Sequence, residues 1–109
     1  MVRQLMIALF ASLLVSFTAT AQDTKLIEAA KKEPGAIIAY GSLESNTVEP
    51  IIEAFRQRTG LTVEYWRASA TKVMDRALAE LRAGKPVFDV MVNNSGAIHV
   101  MKKEGLFAK

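Results

Sequence analysis

The chain contains no cysteine. Disulfides, thiolate metal sites, a cysteine nucleophile and a lipid-bearing N-terminal cysteine are therefore excluded. Histidine is nearly absent too. His99 is the sole one, and its place in a helical stretch beside Val100 and Met101 reads as structural or exposed rather than catalytic. Neither G-x-G-x-x-G nor G-x-x-x-x-G-K occurs, so no phosphate-cradling glycine loop supports nucleotide binding. No serine stands in the setting of a nucleophile elbow. Charge of one sign is also lacking. The formal net charge is +3, with lysines and arginines scattered among glutamates, and this leaves no footprint for nucleic acid. Three prolines and six glycines exclude a collagen-like chain, and half the residues are apolar, which excludes a disordered one.

What is present fits one small domain preceded by an address. Arg3 supplies a positive N-terminus, and Leu5–Val15 is an apolar run broken only by Ser12. Ala19-Thr20-Ala21 then gives the small-x-small pattern that signal peptidase reads. A helix over that run spans roughly 16 Å, too short for a bilayer core of about 30 Å. Residues 1–21 thus read as a secretory signal peptide cleaved after Ala21. No twin arginine precedes the run, so the general secretory route and a periplasmic destination are expected.

The remainder, residues 22–109, alternates between helical and extended patterns. Asp23 or Thr24 can cap a helix carrying Leu26, Ile27 and Ala30, and Pro34-Gly35 stops it. Ala36–Tyr40 is apolar without alternation, the pattern of a strand covered on both faces. Gly41–Ser45 reads as a turn. Asn46 begins a second helix with Glu49 as capping-box partner, Pro50 in the first turn, and a stripe of Val48, Ile51, Ile52 and Phe55. Gly60 closes it. Leu61–Trp66 alternates as a strand near an edge. Ser69 or Thr71 caps a third helix with a stripe of Val73, Met74, Ala77, Leu78 and Leu81, ended by Gly84. Val87–Val92 is a third strand, Asn93–Gly96 a turn, and Ala97–Glu104 a fourth helix ended by Gly105, with Leu106 and Phe107 packing back. The order αβαβαβα predicts an α/β fold with a parallel sheet.

In open parallel sheets, ligands bind beyond the carboxyl ends of the strands. That rule selects three loops and the polar side chains in and beside them: Ser42, Glu44, Ser45, Arg67, Ser69, Asn94 and Ser95. Each loop leads into a helix N-terminus, where free amides and the helix dipole favour an anion. Hydroxyls, amides and one guanidinium suit an oxyanion or carboxylate. Glu44 is a candidate metal ligand or general base. Tyr65 and Trp66 read as packing residues that can also stack on a ligand.

The segments LIEAAKKEPGAIIAYGSLES, IIEAFRQRTGLTVEYWRAS, DRALAELRAGKPVFDVMVNN and MKKEGLFAK, in this order and spacing, resemble the start of a bacterial periplasmic solute-binding protein. The similarity is to the ferric-iron group of ATP-binding-cassette importer receptors and covers residues 24–109. It implies a two-lobed, type II-like receptor that is not an enzyme, holds no resident cofactor and passes its solute to an inner-membrane permease. Family members are about three times longer, so the resemblance implies a partial first lobe. It also implies that Glu44 stands where the ferric group carries a histidine or tyrosine ligand, and Asn94 where some members carry a glutamate. A carboxylate can hold a hard cation, whereas a neutral amide is a poor ferric ligand. The implied solute is ferric iron or an anionic or organic molecule. Two alternatives stand beside this reading: a stand-alone secreted α/β interaction domain, and a fragment of a Rossmann-like enzyme.

Overall fold

The computed structural model describes residues 23–109; the secretory signal read at 1–21 lies outside the described residues. The chain divides into two units at the Pro34–Gly35 boundary, each described by itself. In the first, a helix occupies 23–31 (α1). Asp23 and Thr24 lie within it rather than ahead of it, so neither is the cap the sequence suggested. It unwinds through turn bonds from the Lys32 and Glu33 amides to the carbonyls of Ala29 and Ala30. Among the described residues, no helix is long and apolar enough to cross a membrane.

The second unit runs β1 (Ile37–Gly41), α2 (Ser45–Thr59), β2 (Val63–Arg67), α3 (Ala70–Arg82), β3 (Val90–Val92), α4 (Ser95–Lys103). The protein is a small α/β molecule. Its three strands form one sheet, parallel as the alternation of elements predicted, in the order β2-β1-β3. Parallel pairing follows from the crossovers: each strand is followed by a helix that returns the chain to the same end of the sheet. β1 is central, and β2 sits at an edge.

Several boundaries differ from the sequence pattern for local reasons. Gly41 belongs to β1 and Arg67 to β2, because the ladder continues with Gly41 opposite Arg67 and Val92. β3 has three residues rather than six. Asp89 leaves the ladder and brackets β1 instead: its carboxylate accepts from the Ile38 amide at 2.9 Å and its own amide donates to the Ile38 carbonyl at 2.8 Å. The Val87 amide meanwhile donates to Glu80 Oε2 at 3.1 Å. α2 starts at Ser45 with Glu44 as N-cap and no side-chain cap, so the Asn46–Glu49 capping box does not form. Pro50 consequently lies inside the helix rather than in its first turn. The carbonyl it leaves without a helical donor is that of Asn46, on an exposed residue that water can reach.

Side chains of β1 alternate between two unlike faces. Tyr40 points to the α3–α4 side. It is 1% exposed, and its hydroxyl donates to Glu80 Oε1 at 2.7 Å. The ring meets Trp66 edge-on at 5.1 Å and Phe88 at 5.3 Å. The Arg76 guanidinium lies over both Tyr40 and Trp66 while Arg76 Nε donates to Glu80 at 3.0 Å. Burial opposes ionisation of Glu80. The bonds from Tyr40, the Val87 amide and Arg76 outweigh it and hold the carboxyl below its ordinary value. Burial, then the bond to Glu80, pushes the Tyr40 phenol up, so it remains a donor. Ala77, Leu78, Ala97 and Met101 complete this core, with Leu106 and Phe107 packed against it as expected.

The opposite face carries Ile37, Ala39, Val63, Tyr65, Val90 and Val92 under α2. The sequence predicted β1 to be covered on both faces, and Ala39 and Tyr40, on opposite faces, are buried; the cover fails at β3, where Val90 and Val92 are exposed. A hollow of about 250 Å³, lined by the strand residues of this face and by Val48, Ile51, Ile52 and Phe55, opens between α2 and the sheet. Within the unit Gly35–Lys109, α2 is the helix on this side, and it packs chiefly on β2.

Candidate functional site

Because all three strands are parallel, their carboxyl ends and the loops after them share one end of the sheet. The loops are tied to one another through backbone and side chain. The Ser42 amide donates to the Val92 carbonyl at 3.0 Å, and the Ala68 amide to the Gly41 carbonyl at 3.1 Å. Asn93 Nδ2 donates to the Ala70 carbonyl at 3.0 Å, fixing the β3–α4 loop to the start of α3.

The strand order makes β1 the point at which the winding reverses. The chain leaves β1 for α2 on one face, and leaves β3 for α4 on the other. A crevice at such a switch point is where open α/β sheets take ligands. Its rim carries Ser42 and Ser45 from the β1 side and Asn94 and Ser95 from the β3 side. Among the described residues, the hydroxyls of Ser42, Ser45 and Ser95 have no protein partner. Ser45 and Ser95 are the first residues of α2 and α4, so each hydroxyl stands beside unpaired helical amides.

The other sequence candidates are engaged. Ser69 Oγ accepts from the Lys72 amide at 3.4 Å and caps α3; Asn94 Oδ1 accepts from the Ala97 amide at 2.8 Å and caps α4. Between these two helix starts lies a hollow of about 220 Å³ lined by Ala70, Thr71, Met74, Asn94, Gly96, Ala97 and Val100. Glu44 and Arg67 form an ion pair through Oε1 and Nη2. Glu44 is thus turned away from the α2 amides that an N-cap carboxylate would accept from. Among the described residues, no three histidines, cysteines, aspartates or glutamates come together to hold a metal ion. Glu44 therefore belongs to no such three-residue group.

Tyr65 is the residue that sequence reasoning undervalued. Its hydroxyl donates to the Leu43 carbonyl at 2.9 Å, across the β1–α2 loop. To reach it, the ring lies over Gly41: a Cβ there would stand 2.4 Å from the phenol oxygen and 2.7 Å from a ring carbon. The glycine is present for space, not for an unusual backbone angle. Burial pushes the Tyr65 phenol up, which keeps it a protonated donor. The one available signal was the alternation that puts Tyr65 opposite Ala39, two pairs before Gly41–Arg67 and on the same face. His99 is exposed on α4 and takes no part in the rim.

Comparison with protein-family models, with curated proteins and with solved structures gave no match.

Proposed function

We propose that the chain forms part of the first lobe of an exported solute receptor, holding a small solute at the carboxyl ends of its strands for delivery to a membrane permease. The observation that carries this reading is the switch-point rim. Unpartnered serine hydroxyls, two helix N-termini and a charged pair meet at the end of the sheet where ligands bind in this class of fold. The residue pattern shared with periplasmic receptors and the secretory signal read at 1–21 support export. The half-covered face over Val90 and Val92 supports a lobe that further structure completes. The role assigned to the rim is binding, with closure by a second lobe as the working motion. An anionic or organic solute fits the rim better than ferric iron, because the Glu44 carboxylate is held by Arg67 and belongs to no cluster of three ligating side chains among the described residues.

Two measurements test this. Expressed in a bacterium with two membranes, the chain should be recovered from the periplasm with Gln22 as its first residue; retention of the full chain in the inner membrane overturns the export claim. Pools of small metabolites screened by saturation-transfer NMR should contain binders whose signal falls in Arg67→Ala. The loss should be roughly ten- to a hundred-fold in affinity, the worth of one charged hydrogen bond. Binding indifferent to Arg67 removes it from the site. A second reading, a small secreted interaction domain, draws on the apolar hollow under α2 and gains if partner binding maps there instead.

A further inference from the structure

Resting on the rim reading above, we infer that its solute is a small zwitterion, with Arg67 receiving a carboxylate and Glu44 an ammonium group. An arginine at a strand end, read alone, asks for an anion. Here that arginine is already neutralised by a carboxylate from the neighbouring loop. The pair stands at the ends of adjacent strands. Arg67 is the last residue of β2, directly opposite Gly41, and Glu44 lies three residues beyond Gly41. Neither side chain is buried, at 41% and 68% exposed, so water screens the pair and it opens at small cost.

What the open pair accepts follows from charge. A simple anion taking Arg67 must displace Glu44 and then sit beside that uncompensated carboxylate. A simple cation taking Glu44 faces Arg67 in the same way. A solute carrying both charges replaces one ion pair by two and leaves the site neutral. The guanidinium brings five donors in a planar fork that matches a carboxylate, and a carboxylate accepts the donors of an ammonium. The unpartnered hydroxyls of Ser42 and Ser45, on the same loop and helix start as Glu44, suit the neutral remainder of a polar solute.

The loop bearing Glu44 is also held in place. Tyr65, on the same strand as Arg67, donates across Gly41 to the Leu43 carbonyl. The residue preceding Glu44 is thereby fastened to the strand that carries Arg67, so the two charges are set at a defined spacing before any solute arrives. Glu44 meanwhile forgoes capping α2, whereas Ser69 and Asn94 cap α3 and α4. A carboxylate at an N-cap position ordinarily accepts from the first-turn amides. Here it faces the arginine instead.

The test uses the full chain and small probes that carry both charges or one. L-alanine, β-alanine and γ-aminobutyrate carry both groups; propionate and propylamine carry one each. Saturation-transfer titrations should show at least one zwitterion binding about tenfold tighter than both single-charge probes, the worth of one charge-assisted contact. In Glu44→Gln that preference should disappear, with propionate gaining. In Arg67→Gln it should disappear with propylamine gaining. Circular dichroism confirms that both variants keep the fold, and the exposure of the two side chains makes this the expected result. If propionate matches the zwitterions in the native chain and still responds to Arg67→Gln, the rim stands and the zwitterion inference falls. If no probe binds, or binding ignores both substitutions, the pair is a surface ion pair only, and the rim reading falls with the inference.

Discussion

The two faces of the sheet are built from alternate residues of the same three strands, yet they are finished to different degrees. Toward α3 and α4, Tyr40, Val73 and Met101 are among the largest fully buried side chains, and the carboxylate in the layer, Glu80, has donors on both its oxygens. Toward α2, Val90 is 50% exposed and Ile51 62%. Burial on the first face carries the fold. The second face carries hydrophobic surface that burial has not yet stabilised. The contrast teaches that amphipathic periodicity marks which side chains can be buried, while the number of helices crossing that face decides whether they are.

The largest effect separates the faces directly. Met101→Ala empties the closed core and should cost about 2–5 kcal/mol, enough to unfold a domain whose core supplies about 3–5 kcal/mol. Ile51→Ala removes a side chain already in water and should change stability by less than about 0.5 kcal/mol. Urea melts followed by circular dichroism compare them. Similar losses in the two variants would show that the α2 face is covered in solution.

A smaller effect probes the charged centre of the closed face. Glu80→Ala leaves the buried Tyr40 hydroxyl without its acceptor and should cost about 1–3 kcal/mol. The same network makes stability depend on acid. The folded carboxyl is held below its ordinary value of 4.5. Its contribution is fully present above that value and is lost as pH falls through the lower folded one. Native protein should therefore lose midpoint denaturant concentration below about pH 4.5 more steeply than Glu80→Gln. Parallel acid profiles would mean that the Tyr40–Glu80 bond is not formed in solution.

The smallest effect concerns the rim. Tyr65→Phe deletes the bond to Leu43 and should cost about 1 kcal/mol or less. Gly41→Ala, which drives a methyl group into the phenol, should cost about 1–3 kcal/mol in the native background and less once the hydroxyl is gone. The double mutant measures this coupling. Strict additivity would show that the ring does not lie over Gly41.

Much of the fold was legible because its signals are local. Gly60, Gly84 and Gly105 end their helices with positive φ, and Ser69 caps α3 from the position its type suggested. The burial of β1 on both faces followed from its unalternating apolar run, while its central place in the sheet did not. What escaped the sequence depends on partners far along the chain. Asp89 shortens β3 by bonding Ile38, and Glu44 turns from its helix toward Arg67. Tyr40 finds Glu80 only once α3 lies across β1. The candidate rim was legible as a set of loops, because strand ends and helix starts fix it. Which side chains remain free in those loops was not, since Ser69 and Asn94 serve the helices while Ser42, Ser45 and Ser95 do not.

The central claim is that solute is met at the strand ends and not in the apolar hollow. Amide chemical-shift mapping of the ¹⁵N-labelled chain, titrated with a small solute that binds it, tests this most directly. Shifts are expected at residues 42–45, 67–70 and 93–96, with Ile51, Phe55 and Val90 unmoved. Shifts centred on Ile51, Phe55 and Val90, with the rim unmoved, would contradict the claim and place recognition on the open face.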